Sequence, residues 1–288
     1  MAKPFENVIL DVAHHWSYWQ PDIPYENTIP SLPDGKPERR RPGHPRATIS
    51  LADFDPNAKP FSLDDPTQDE ALMARLRQEL SAMQMAFAAE KRQKVLIIIQ
   101  GTDASAPAEV VQELFDTVPA NLHISRWRAP TAAEQDRNYL WRFHQQTPAS
   151  GEIAAFDRGY YSELLAPVVN QWITRVEMHQ RIGHIKDFER MLSHTGTIIL
   201  KFMLHVSASD HKERLQARWR DPEQCTTLNT TDFDIAQQWD AYQRAFETML
   251  SATHTAWAPW TVVPAKCPKH RNIMMAAVMH QILRNLDN

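Results

Sequence analysis

Residues 95–99, Val-Leu-Ile-Ile-Ile, constrain this chain more than any other stretch. The run is bounded by Lys94 on one side and by Gly101, Thr102 and Asp103 on the other. Five apolar residues fall far short of the roughly 20 that a membrane helix needs. Their continuity, with no polar alternation, marks a strand buried on both faces, as in a parallel sheet covered by helices. The chain around it agrees. Leu72, Leu76, Leu80, Met83 and Phe87 recur at spacings of four and three, which predicts an amphipathic helix over residues 69–91. A helix over 107–117 follows, with Ser105 at its N-cap. Further strands are expected at 123–127, 152–156, 197–206 and 261–263, and helices at 131–146, 170–193 and 269–286. The strand at 197–206 is apolar on both faces except for Lys201 and His205. Ser207 then caps a helix, with Asp210 three residues on.

Strands alternating with helices in this way imply an α/β fold with a parallel sheet and helices on both faces. Ligands of such sheets sit beyond the carboxyl ends of the strands. Asp103 and Asp157 fall at two such ends, so the fold can bring them together across 54 positions of sequence.

Composition narrows the partners. The chain has 31 Lys and Arg against 35 Asp and Glu, a formal charge of -4, so it is not built to coat nucleic acid. Two cysteines, Cys225 and Cys267, form no CxxC pair and no zinc pattern, which fits a reducing, cytoplasmic setting. The N-terminus lacks the basic and apolar regions of a signal peptide. Eleven of the 20 prolines lie in residues 1–66, together with the aromatics Trp16, Tyr18 and Trp19 and the basic run Arg39, Arg40 and Arg41. This segment reads as an extended arm anchored by its aromatics, in front of a domain at 67–288. Arg39, Arg40 and Arg41 read as a solvated charge run. His14 and His15 lack the spacing of a helical metal pair.

Residues 100–109, Gln-Gly-Thr-Asp-Ala-Ser-Ala-Pro-Ala-Glu, occupy the place of a phosphate loop between strand and helix. The Walker pattern GxxxxGK[ST] is absent, and only seven glycines occur in the chain. Yet the loop resembles the QGxDAAGKxG of the family-2 polyphosphate kinases. Residues 156–162, Phe-Asp-Arg-Gly-Tyr-Tyr-Ser, are similar to that family's F(D/N)RSxYE. Tyr139-Leu-Trp-Arg142, the Gly-Glu at 151–152, the Asp-Phe-Glu-Arg at 187–190, the strand at 197–202 and the segment at 215–222 follow in family order.

The resemblance implies a P-loop-kinase-like domain with a helical lid at about 207–235. It implies transfer of phosphate between inorganic polyphosphate and nucleoside mono- or diphosphates, with Mg²⁺, in a protein that forms homo-oligomers. Asp103 and Asp157 match family positions that handle Mg²⁺. Arg158 matches a contact to phosphate or nucleotide, and Arg142 and Arg218 match basic positions. Read on residues alone, Asp103 is equally an N-cap, and Asp157 with Arg158 a local ion pair. Tyr139, Trp141 and Phe143 read as core packing, as does the run from Ile273 to Met279.

The departures from the family are chemical. Ala106 and Pro107 stand where the family has Gly-Lys, so the ammonium is gone and Pro107 offers no N–H. Glu109 adds negative charge where a helix dipole would favour phosphate. In the lid, residues 223–227 carry no cation, although Arg214, Arg218 and Arg220 precede them. The expectation is therefore an impaired polyphosphate-dependent nucleotide kinase. The alternatives are a non-catalytic protein that binds nucleotide or polyphosphate, and an enzyme in which arginines replace the lost lysine.

Overall fold

The computed structural model describes residues 48–102, 110–111, 113–114, 121–127, 129–222 and 230–286. Asp65 starts the first helix, α1 (Pro66–Glu90): its carboxylate accepts from the Thr67 amide at 2.8 Å, and Pro66 takes a position where no amide donor is needed. The helix buries Leu72, Leu76, Leu80 and Phe87 and stops at Lys91, which turns left-handed at φ 52°. Three residues later β1 (Lys94–Gly101) begins, and every residue after Lys94 is buried.

Five strands form one sheet in the order β2-β3-β1-β4-β5, with β2 (Leu122–Arg126), β3 (Ile153–Asp157), β4 (Thr197–His205) and β5 (Trp260–Pro264). All neighbours run parallel. The buried central strand is thus the one whose side chains are apolar on both faces. Val95, Ile97 and Ile99 point into one core with α1, Val110, Val111, Leu114 and the closing helix α9 (Pro268–Leu286). Leu96 and Ile98 point into the other, with α4 (Ser162–Val169), α5 (Arg175–His194) and α8 (Trp239–Thr253). Two further helices, α6 (Ala208–Arg220) and α7 (Thr230–Gln237), lie between β4 and α8. Among the described residues no helix is long and apolar enough to cross a membrane.

Most expected elements form within a residue or two of their predicted bounds, and Ser207 caps α6 through the Asp210 amide at 3.1 Å. Two do not. The expected helix at 131–146 is two single turns, α2 (Ala132–Gln135) and α3 (Trp141–His144). A capping box between Thr131 and Glu134 starts the first turn. The Asn138 side chain then accepts from the Leu140 amide at 3.1 Å, a local bond that competes with helix continuation. The expected helix at 170–193 begins at Arg175, where Thr174 and Glu177 form a second capping box, and α4 precedes it as a separate element. Between them Gln171 takes φ 57° and breaks the run. Of the helix expected at 107–117, Val110, Val111 and Glu113 are helical, Leu114 is a turn, and the rest lies outside the described residues.

Ile49, Leu51 and Phe61 are buried in the two cores, and the Ile49 amide donates to Ser251 Oγ of α8 at 2.8 Å. The aromatics and arginines expected to form the arm lie outside the described residues. The cluster at 139–143 divides: Phe143 is buried, whereas Tyr139 and Trp141 are half-buried at the surface. Arg181 lies over the Tyr139 ring and Arg137 over the Trp141 ring. Ile273, Met274, Met275, Val278 and Met279 are core, as expected.

Candidate active site

The connections leaving β1 and β3 depart to opposite faces. After β1 the chain packs with α1 and α9, and after β3 it packs as α4 and α5 on the other face. A crevice between the carboxyl ends of these two neighbours follows from that divergence, and it is where doubly wound sheets take ligands. Asp157 closes β3 at this point, in register with Ile99 of β1 and with Arg126 of β2.

The Asp157 carboxyl is largely withdrawn from water, and its Oδ1 has no hydrogen-bond partner among the described residues. Burial pushes its pKa from 3.8 up to about 6, and the nearby Arg126 charge opposes this without cancelling it. One residue beyond Ile99, Gln100 also keeps its Oε1 buried without a partner among the described residues. Buried polar atoms are ordinarily paired, so an acceptor without a partner among the described residues on each face of this strand end makes it a candidate ligand site.

The backbone here is unusual too. Arg158 sits at φ 70°, ψ -42°, although it is not glycine, and its amide donates to Ile99 O at 2.8 Å. Gly159 follows at φ 59°, where an added Cβ would stand 3.3 Å from Phe156 Cβ. Strain of this kind costs on the order of 1–3 kcal/mol and survives only where the surroundings impose it. The chain then turns through a single 3-10 turn (Gly159–Tyr161) into α4.

What imposes it is a buried polar network. Tyr160 and Tyr161 are fully buried, and both hydroxyls donate to Glu189 Oε1 of α5, at 2.8 and 2.6 Å. Lys201 of β4 donates to Glu189 Oε2 at 2.9 Å, to the Tyr161 hydroxyl at 3.0 Å and to Thr253 O at 2.7 Å. All three ammonium protons have acceptors. Trp260 Nε1 donates to Thr253 Oγ1 at 2.9 Å and extends the network to β5. Burial holds the Lys201 pKa below its ordinary value against the attraction of Glu189, and it pushes both tyrosines well up.

Of the residues singled out from sequence, Asp157 and Arg158 stand at the crevice. Arg142 of α3 is buried beside it: its guanidinium carbon lies 4.9 Å from the Trp127 ring centroid, and Trp127 and Phe143 both pack on Phe156. Its Nε stands 3.6 Å from a Glu134 carboxylate oxygen. Arg218 is in the last turn of α6, about 16 Å of helix beyond the Ser207 cap that faces the sheet. Asp103 and the loop residues Ala106, Pro107 and Glu109 lie outside the described residues, as does the lid segment at 223–229. Among the described residues no three His, Cys, Asp or Glu side chains converge to hold a metal unaided.

Sequence reading missed Arg126 and the Glu189–Lys201 pair. The signals were present but mute: a basic residue closing a short strand, and a single lysine in an otherwise apolar one. An apolar groove lined by Gly196, Ile198, Pro259 and Thr261 lies at the amino end of β4, away from this chemistry.

A family model described as polyphosphate kinase 2 matches residues 63–288. The AMP/ADP-polyphosphate phosphotransferase of Meiothermus ruber is 35% identical over 244 residues, covering 84% of this chain and 91% of the relative. The ADP-polyphosphate phosphotransferase of Rhodopseudomonas palustris is 28% identical over 251 residues, 83% and 86% of the two chains. The crystal structure of polyphosphate kinase 2 from Arthrobacter aurescens superposes with a TM-score of 0.79 at 31% identity, covering 83% of this chain and 87% of that one. The five-stranded parallel sheet is therefore the fold of these kinases, and the chain belongs to the polyphosphate kinase 2 family.

Proposed function

We propose that the protein transfers phosphoryl groups between inorganic polyphosphate and nucleoside mono- or diphosphates. In the forward direction the terminal P–O–P bond of polyphosphate breaks, and an oxygen of the nucleotide's last phosphate bonds to the transferred phosphorus. The polyphosphate leaves one unit shorter. The observation that carries this reading is the half-buried Asp157 carboxylate at the crevice between β1 and β3, whose Oδ1 has no hydrogen-bond partner among the described residues.

That carboxylate suits Mg²⁺, which takes one or two carboxylates and fills its remaining positions with water and substrate phosphates. Asp157 would hold it, with Asp103 as the second carboxylate. Bound there, the ion would neutralise phosphate charge. Arg158, fixed by its backbone at the same strand end, would bind a phosphate oxygen. Arg142 would add positive potential from within the aromatic cluster, and Arg218 would act from the lid helix. Phosphoryl transfer depends on such positioning and charge stabilisation.

The missing loop lysine predicts slow turnover. Loss of one preorganised donor costs on the order of 10²–10³ in rate. The same substitution at Ala106 and Pro107 favours a second reading, a protein that binds polyphosphate or nucleotide without turnover. The reading also carries a cytoplasmic homo-oligomer, with residues 1–66 as an arm on the 67–288 domain, which light scattering and limited proteolysis test.

The deciding experiment incubates the protein with polyphosphate, Mg²⁺ and AMP, ADP, GMP or GDP separately. Product is expected, and it should vanish in Asp157→Ala. Well-folded wild type that gives no more product than Asp157→Ala sinks the phosphotransferase reading in favour of binding alone.

A further inference from the structure

The chain's phosphate loop contains no lysine or arginine from Gln100 to Glu109, so a cation for the phosphate chain has to come from elsewhere. The sheet offers one. Arg126 is the last residue of β2 and lies in register with Asp157, which in turn is in register with Ile99. In-register residues on parallel strands share a face, and adjacent strands run about 4.8 Å apart. Arg126, Asp157 and Ile99 therefore form a row across three neighbouring strands at the carboxyl end of the sheet.

Ile99 packs in the core that contains Val110, Val111 and Leu114. The row thus faces the side onto which the chain crosses after β1. At that end Asp157 is half-buried while Arg126 is exposed to solvent. An arginine at such a position has a planar, always charged group that can grip two phosphate oxygens at once.

We propose that Arg126 supplies from the neighbouring strand the phosphate-binding cation that the loop lacks. The inference rests on the phosphoryl-transfer reading above. Its ligand is a chain of linked phosphates, whether that of polyphosphate or that of the nucleotide.

The test compares wild type with Arg126→Ala, Arg126→Lys and Arg190→Ala. Arg190 pairs with Asp187 near the other end of α5 and controls for the loss of one positive charge. Steady-state kinetics are measured with polyphosphate and ADP varied in turn. Calorimetry measures binding of tripolyphosphate and of ADP. Arg126→Ala is expected to lose about 10²-fold in kcat/KM, the loss expected of one preorganised donor, with Arg126→Lys intermediate and Arg190→Ala near wild type. The substrate whose KM and Kd rise is the one Arg126 holds. Because the side chain is exposed, the variant should unfold close to wild type, which separates a lost contact from a lost fold. An Arg126→Ala protein within about threefold of wild type in both kcat/KM and affinity overturns the inference while leaving the phosphotransfer reading intact. Should wild type show no turnover, that reading falls and binding decides alone. Affinity about tenfold weaker in Arg126→Ala (about 1.4 kcal/mol) then supports the role of Arg126, and unchanged affinity overturns it.

Discussion

Two sets of acid and base lie on either side of the central strand β1 and treat charge in opposite ways. Glu189 and Lys201 are wholly inside the protein, 2.9 Å apart, and every lysine proton has an acceptor. Asp157 is only half-buried; its basic neighbour Arg126 stands in solvent, and its Oδ1 has no hydrogen-bond partner among the described residues. The first arrangement is complete in itself and holds two tyrosines of the strained turn at 158–161. The second is incomplete among the described residues, and burial raises the pKa of its acid. A buried acid that is fully paired reads as architecture, and one that is left short reads as a place for a ligand.

Breaking the first pair should have the largest effect on stability. Lys201→Met leaves Glu189 buried and uncompensated, and should cost about 3–5 kcal/mol in urea unfolding. Glu189→Gln combined with Lys201→Met should recover most of that loss. A single variant as stable as wild type would mean that the pair is not what fixes the turn.

The second pair should respond in the opposite direction. Folding raises the Asp157 pKa from 3.8 to about 6, so between those values the native state holds the proton more tightly than the unfolded chain. The stability contributed by the protonated acid is complete below pH 4 and is lost as pH rises through 6. Above that, the ionised carboxylate costs up to about 3 kcal/mol. Asp157→Asn in metal-free buffer should therefore be more stable than wild type by about 1–3 kcal/mol at pH 8 and equal to it at pH 4. A variant that loses stability at pH 8 would show that Asp157 is structural.

Between the two pairs lies the turn. Gly159→Ala places a side chain at φ 59° against Phe156 and should cost about 1–2 kcal/mol, read as a lowered Tm. The smallest effect is expected of Tyr160→Phe, which keeps the ring and removes one of the two hydroxyl donors to Glu189. A loss of about 1 kcal/mol would match a single buried hydrogen bond.

Much of the fold was legible because its signals are local. The apolar run at 95–99, the leucine spacing of α1 and the Ser207 cap each depend on residues a few positions apart, where backbone periodicity alone sets the pattern. The helix at 131–146 was misread because its breaker, the Asn138 side chain, acts through one hydrogen bond that periodicity does not register. At the site, Asp157 and Arg158 could be found from the residues around them and from their place at a strand end.

By itself, then, the sequence determined the alternation of strands and helices, the parallel sheet and the acid at the end of β3. Only the tertiary structure decided that Arg126 would stand beside that acid, and that Lys201 would meet Glu189 rather than solvent. Those pairings depend on strand order and register, which arise when distant segments are buried against one another. The price of burying a charge, and hence which acid is left open for a ligand, is set by those neighbours.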